Sequence, residues 1–337
     1  MKKIAFLLCM LLLAGCSNTK KEIQEEEGQA DIVAANLTIP WDINKHGDTF
    51  FISERIGQIA VIEEDQLTFE EVHFSEELSD APEAGLLGFV LKPDFAQTQE
   101  AFAYYTYDRD GSSYNRIVSI KREQGSWIEQ EIHLDNVQTG NIHHGGRLEI
   151  SPDGTLFATI GDAGTPDLAQ NPDSLNGKIL ALTDNGSFEI YSSGHRNPQG
   201  LAWDTEGALY ESEHGQSAND EINIIEEGSN YGYPIIEGEE TKEGLITPIY
   251  TTGNEETWAP SGIAYHKGKL YIATLRGEAI KVLNLETRKV EQSISGYGRI
   301  RDVFSDGDSI YFISNNTDGR GNPGEEDDKL YRLKEKN

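Results

Sequence analysis

The sequence predicts an all-β fold, a six-bladed β-propeller. Three observations predict it: one strand–turn–strand pattern recurs six times, Gly, Asp and Asn punctuate each copy, and no stretch has an amphipathic helical period of useful length. In each copy a short apolar strand enters a turn, and a second strand rich in aromatic and β-branched residues follows. Another apolar strand then comes after a variable loop. Copies recur at roughly 40–60 residues, the period of small sheet units stacked around a ring. A β-sandwich with irregular strands is the alternative, but sandwiches do not repeat in this way.

The first copy is Trp41-Asp42-Ile43, the turn His46-Gly47-Asp48, Thr49 to Ser53, then Gln58 to Ile62. The second is Leu87 to Leu91, the turn Lys92-Pro93-Asp94, Ala101 to Tyr107, then Arg116 to Ile120. The third is Arg147 to Ile150, Pro152-Asp153-Gly154, Leu156 to Ile160, then Lys178 to Leu182. The fourth is Gly200 to Trp203, Asp204 to Gly207, Ala208 to Ser212, then Glu221 to Ile225. The fifth is Gly262 to Tyr265, His266 to Gly268, Leu270 to Thr274, then Ala279 to Leu283. The sixth is Asp302 to Phe304, Ser305 to Asp308, Ser309 to Ser314, then Lys329 to Leu333. A strand near Ile32 to Leu37 precedes them all. It is expected to join the last blade and close the ring, which removes open sheet edges.

Ahead of the repeats lies a different kind of sequence. Lys2 and Lys3 precede a short apolar run, Ile4 to Leu13, and then Ala14-Gly15-Cys16. A basic start, a short apolar core and small residues at a cut site make a secretory signal over residues 1–15. The run is too short to span a bilayer. Cys16, directly after Leu-Ala-Gly, sits where a lipobox places its lipidated residue. The alternative is an ordinary signal with an incidental cysteine. Residues 16–30 are expected to be a lipidated Cys and a flexible acidic tether, since 17–30 read SNTKKEIQEEEGQA without period. Residues 31–337 form the propeller domain. The expected location is outside the cell, lipid-anchored to the outer face of the cell membrane. The only cysteines are Cys9 and Cys16, so the mature domain has no thiol pair for a disulfide. The net charge of −30 argues against nucleic acid as a partner, because such binding needs basic patches.

In so acidic a chain, arginines gathered at corresponding points of the repeats are informative. Arg196, Arg276, Arg299 and Arg301 fall at such points, and blade geometry can converge them on one axis. Several guanidiniums around a channel imply an anionic guest, because Arg binds carboxylate bidentately. Inter-blade salt bridges are the competing explanation. The loop Asn141-Ile142-His143-His144-Gly145-Gly146 offers imidazoles suited to general-base work, on a loop whose glycines allow close approach. Paired His also suggests a metal, but no spacing completes a zinc site, and an ordinary hydrogen-bonding surface His is the alternative. The segment Glu213-His214-Gly215-Gln216-Ser217-Ala218-Asn219-Asp220-Glu221 offers carboxylates, amides and carbonyls, the hard oxygen donors calcium takes. An ordinary polar loop fits it as well, and it lacks EF-hand spacing.

Taken in order, these motifs resemble the soluble PQQ-dependent aldose sugar dehydrogenases of the glucose/sorbosone dehydrogenase family. The resemblance runs from Trp41 almost to the C-terminus. It is carried by Glu83-Ala84-Gly85-Leu86-Leu87-Gly88, Lys92-Pro93-Asp94-Phe95 and His143-x-x-Gly146-Arg147-Leu148. Asn171-Pro172-Asp173-Ser174-Leu175-Asn176-Gly177-Lys178-Ile179-Leu180, Gly194-His195-Arg196-Asn197-Pro198, Asp220-Glu221-Ile222-Asn223 with Asn230-Tyr231-Gly232, Ala259-Pro260-Ser261-Gly262, and Gly298-Arg299-Ile300-Arg301-Asp302 complete it. The resemblance implies PQQ and Ca²⁺ as cofactors, an aldose as substrate and an external electron acceptor as partner. It implies that His143 is the catalytic base, with Arg196 and Asn197 beside the quinone. Arg299 and Arg301 are implied as binders of the cofactor carboxylates. Arg276 stands where many members carry Lys, and still offers a cation to the anion. The carbonyls of Gly215 and Gln216 are implied as calcium ligands, and Glu221 and Tyr231 as ligands of a second, structural calcium. Glu83 and Asp162 are implied as sugar-side and base-orienting residues. Gln216 replaces a usual Pro and Asn176 a usual apolar residue. A metal-dependent lactonase propeller and a non-catalytic binding propeller are the competing functions. The first needs a carboxylate cluster around an axial metal, and the second would need no base.

Overall fold

The computed structural model describes residues 23–27 and 29–334. The signal segment and Cys16 lie outside the described residues. Among the described residues, the regular elements are strands, apart from a four-residue helix, Phe95–Thr98, and a 3-10 turn, Pro166–Gln170.

The strands form antiparallel meanders. The first is Pro40–His46, Thr49–Glu54, Gln58–Glu63 and Gln66–His73. The second is Leu86–Leu91, Glu100–Arg109, Ser112–Glu123 and Ser126–Thr139. The third is Gly145–Ile150, Leu156–Ile160, Lys178–Leu182 and Phe188–Ser193; the fourth is Pro198–Trp203, Leu209–Glu213, Glu221–Ile225 and Tyr250–Thr251. The fifth is Pro260–His266, Lys269–Thr274, Ala279–Asn284 and Lys289–Ser295. The sixth is Ile300–Ser305, Ile310–Ser314 and Leu330–Leu333, completed by Ala30–Ala34 from the other end of the chain. That N-terminal strand pairs as expected, although it ends at Ala34 rather than Leu37.

Two features differ from the sequence expectation. The first and second meanders are joined into one eight-stranded sheet, through a short parallel pairing of Trp127 with Val72 and Ile128 with His73. The outermost strand of the second meander is 14 residues long, so its start reaches the neighbouring outer edge and pairs there. In addition, Gln24–Glu27, read as tether, pairs in parallel along Lys289–Ser295. An open strand edge recruits backbone whatever its side chains, so the polar composition gave no sign of it.

The inner strands explain the apolar runs. Leu86–Leu91 is buried almost throughout, whereas the outer strand Gln66–His73 is mostly exposed. The inner strands of successive meanders pack side by side, and the sixth packs on the first, closing a ring. The core is correspondingly divided into layers between neighbours. Phe51, Phe89, Tyr105 and Trp127 fill the layer between the first and second meanders. Phe157, Ile179, Leu201 and Leu209 fill the third–fourth layer, and Ile52, Ile62, Ile313 and Leu330 the closing sixth–first layer. Burial on both faces of each sheet is what makes one meander unstable alone and the ring stable together. Among the described residues, no helix is long and apolar enough to cross a membrane.

Candidate active site

Loops leaving the inner ends of the meanders converge on the axis. His143 lies in the loop before Gly145–Ile150 with φ of 60°, in the left-handed region that non-glycine residues seldom occupy. The glycine beneath it is obligatory: a Cβ on Gly161 would lie 2.0 Å from the His143 carbonyl. Three contacts hold the residue. Its backbone N–H donates to Glu83 Oε2 at 2.9 Å. Its Nδ1 lies 2.7 Å from Asp162 Oδ1, and its Nε2 3.1 Å from an Arg196 Nη. A carboxylate only accepts and a guanidinium only donates, so Nδ1 carries the proton and Nε2 the lone pair. Asp162 is fully buried and also takes the Gly164 N–H at 2.8 Å, which fixes its orientation. This is the arrangement of an imidazole prepared to accept a proton at Nε2.

The adjacent His144 is different. It is 1 % exposed, its Nδ1 meets Thr139 Oγ1 at 3.0 Å, and burial pushes it down to about 4. Of the pair, it is His143 that lines the larger axial cavity.

That cavity, of about 390 Å³, is lined by Glu83, His143, Arg196, Asn197, Gly215, Gln216, Arg276 and Arg299 among others. Eight of the residues singled out in the sequence therefore share one wall. Arg301 lines a second, smaller cavity, whose lining shares Glu83, His214, Leu275 and Arg320 with the first. Asp162 sits behind His143, not in the lining. Glu221 and Tyr231 are not in the lining either. The Glu221 carboxylate accepts the Gly238 N–H at 2.7 Å, and burial with the nearby Glu213 charge pushes it up to about 8. The Tyr231 hydroxyl donates to Ile224 O at 2.6 Å and accepts the Glu226 N–H at 2.8 Å, so it is committed inside the sheet.

The wall is cationic. An Arg196 Nη donates to His214 O, and Arg299 pairs with Asp318 at 2.9 Å. Among the described residues, Arg301 donates only to neutral groups, Gln199 Oε1 at 2.9 Å and Ser261 Oγ at 3.3 Å. Burial, against which the more distant Asp318 and Glu83 charges count for less, pulls Arg301 down to about 9. Among the described residues, the buried Nε atoms of Arg196, Arg299 and Arg301 have no hydrogen-bond partner. Buried donors normally find acceptors, so this wall fits a polycarboxylate guest. Burial works to raise Glu83, but the His143 N–H and Arg320 outweigh it and hold Glu83 at about 2. Gly215 supports a tight loop, since a Cβ there would meet Ala218 O at 1.9 Å. Asp220 ties that loop down by accepting the N–H groups of Gly215, Trp258 and Ala259. Carbonyl and amide oxygens on such a loop are a donor set suited to calcium.

Sequence reasoning missed several members. Arg55, Asp318 and Arg320 join the axial cavities from distant loops. Tyr233 is buried, and burial with the neighbouring Asp162 charge pushes it up to about 12. Only its position two residues after Tyr231 pointed towards it.

Ring-closed sheets around an axial cationic cavity, with an oriented histidine on its wall, define a scaffold enzyme in which inter-strand loops carry the chemistry. The model of the Glucose / Sorbosone dehydrogenase family matches residues 37–331. The chain belongs to that family. Among similar proteins, aldose sugar dehydrogenase YliI of Escherichia coli is 31% identical over 275 residues, covering 68% of this chain and 74% of that one. Quinoprotein glucose dehydrogenase B of Acinetobacter calcoaceticus is 33% identical over 206 residues, covering 50% of this chain and 43% of its own length. The PQQ-bound structure of an aldose sugar dehydrogenase from Streptomyces coelicolor superposes with a TM-score of 0.83 at 34% identity, covering 91% of this chain and 98% of that one.

Proposed function

We propose that this protein oxidises aldose sugars at C1 to the lactone, with PQQ and Ca²⁺, and passes the electrons to an external acceptor. The observation that carries the reading is the Asp162–His143–Arg196 chain opening onto a wall of arginines with bare Nε atoms. Arg196, Asn197, Arg276, Arg299 and Arg301 would hold the quinone, and the carbonyls of Gly215 and Gln216 the calcium. When bound, PQQ supplies the hydride acceptor, and calcium beside it adds Lewis-acid polarisation.

The chain's own residues do the rest. His143 Nε2 accepts the proton of the sugar C1 hydroxyl as the C1 hydrogen leaves as hydride. The Asp162 carboxylate holds Nδ1–H and stabilises the positive charge that the ring acquires. The Arg196 guanidinium, now against Nε2, yields that position to the substrate hydroxyl and remains beside the reacting carbon. Ionised Glu83 fixes the His143 backbone and offers an acceptor to a sugar hydroxyl. We further read the ring as a six-bladed propeller, and the exported chain as held by lipid on Cys16 to the outer face of the cell membrane, close to membrane electron acceptors.

The test is reconstitution. Apo-protein given PQQ and Ca²⁺ is expected to reduce a dye when aldoses are added. Absence of activity with every aldose, together with absence of a PQQ-induced absorbance change, would overturn the reading. His143→Ala is expected to lower kcat by about 10²–10⁴-fold, with PQQ titrating as in the native protein.

A further inference from the structure

The fourth meander holds a second cluster that the sugar chemistry does not use. Leu209–Glu213 and Glu221–Ile225 run antiparallel, with Glu211 opposite Asn223 and Glu213 opposite Glu221. Alternate residues share a face, so the four side chains form one square patch. Glu211 and Asn223 are fully buried and Glu213 nearly so. The Asn223 Nδ2 is the hub, 3.1 Å from Glu211 Oε2, 3.3 Å from Glu213 Oε1 and 3.5 Å from Glu221 Oε2. His195 joins with Nδ1 at 3.2 Å from Glu213 Oε1. Among the described residues, no Lys or Arg forms an ion pair with these three carboxylates. Like charges directly opposite across strands are destabilising, and burial makes them more so.

Two buried atoms in the patch have no hydrogen-bond partner among the described residues, Glu211 Oε1 and Asn223 Oδ1. Half a turn of the Asn223 amide exchanges its oxygen and nitrogen. It would then present Oδ1 to the three carboxylates, an arrangement that a cation between them would satisfy. Carboxylate oxygens of Glu211 and Glu213 and a ring nitrogen of His195 already lie within 4.8 Å of one another. We propose that Glu211, Glu213 and His195, with Asn223 Oδ1, bind one divalent transition-metal ion of the Zn²⁺ type. His195 Nε2 lies 2.8 Å from Ser192 Oγ, so a hydrogen bond there leaves Nδ1 as the ligand atom, the usual outer support of a metal-bound imidazole. The nitrogen ligand separates this site from the all-oxygen calcium loop at Gly215 and Gln216. Glu213 Oε2 accepts the Arg196 N–H at 2.6 Å, so the ion would brace the segment that carries Arg196 and Asn197.

The site can be tested without quinone or sugar, so its failure is separate from failure of the dehydrogenase reading. The full mature chain, purified without chelator and held in excess Ca²⁺, is expected to retain one Zn²⁺ per molecule. Zn²⁺ added back to stripped protein should raise the melting temperature. Glu211→Gln should weaken Zn²⁺ binding by at least ~100-fold. Asn223→Asp gives the opposite sign. It should tighten Zn²⁺ binding, whereas without an ion it adds a fourth buried carboxylate and lowers the melting temperature. The proposal is overturned if native protein neither retains nor responds to Zn²⁺ and Glu211→Gln melts higher. That pattern would mean Glu211 and Glu213 share a proton instead. Stabilisation by Ca²⁺ in place of Zn²⁺ at this patch would also overturn it.

Discussion

Arg147 and Arg301 share one tryptophan and have opposite surroundings. Their guanidiniums lie 4.4 Å and 5.9 Å from the centre of the Trp41 ring, and both touch Gln199, Arg147 through its carbonyl and Arg301 through its side chain. Arg147 is met by Asp42 at 2.7 Å and Asp302 at 3.2 Å, and although burial opposes it, these charges keep its pKa raised. Arg301 has no ion pair among the described residues, and burial pulls it down. The first arrangement is closed, with the counter-charge supplied by the inner strands of the first and sixth meanders. The second is open, with a desolvated cation facing a cavity. A buried guanidinium left without a carboxylate costs stability, and an anionic ligand that fills the role recovers it. Burial alone therefore does not separate a structural arginine from a binding one; the origin of its counter-charge does.

The largest effect should follow from removing the closed member. Arg147→Met leaves Asp42 and Asp302 buried without their cation and is expected to cost about 3–5 kcal/mol in denaturant unfolding. A loss under ~1 kcal/mol would erase the contrast. Acid should act next, through His144. Burial lowers it from 6.5 to about 4, so the fold holds it neutral. Its stability contribution is complete above pH 6.5 and is lost as pH falls towards 4, because the unfolded chain takes the proton first. The expected loss is about 1 kcal/mol per pH unit, and His144→Gln should remove that share of the acid slope in urea titrations.

Arg301→Met should invert the Arg147 result. Apo stability is expected to hold or rise, while PQQ affinity falls by about 10–100-fold, the worth of a charged hydrogen bond, as read by absorbance titration. Apo destabilisation with unchanged affinity would make Arg301 structural. The smallest effect belongs to Arg276, which is exposed at the rim. Arg276→Ala should weaken quinone binding by less than about 1 kcal/mol, and the effect should fade with salt.

Much of this was legible in the chain, for local reasons. The apolar inner strands and Gly/Asp turns located the meanders, since a strand buried on both faces must be apolar along its whole length. The arginines stood out against the acidic background, and the His143-x-x-Gly146-Arg147 spacing marked the base loop. Other features carried no local mark. His143 and His144 are chemically identical neighbours, and only the turn of the loop aims one at the cavity and the other into the packing. The Glu211–Asn223 patch was invisible as a unit because its members lie on two strands whose register the sequence did not state. Gln24–Glu27 became a strand only because an edge was available beside it.

The sequence by itself determined the all-β class, the recurrence of meanders, the cationic loops and the family. Those depend on periodicity and composition, which the chain carries residue by residue. Tertiary structure alone decided which charges are answered. Arg301 meets Gln199 across 102 residues, and Arg320 meets Glu83 across 237. Contacts of that span exist only once the ring closes. The difference between a paired arginine and one open to a ligand is therefore a property of the closed ring, set by low-dielectric burial and by which neighbour brings the opposite charge.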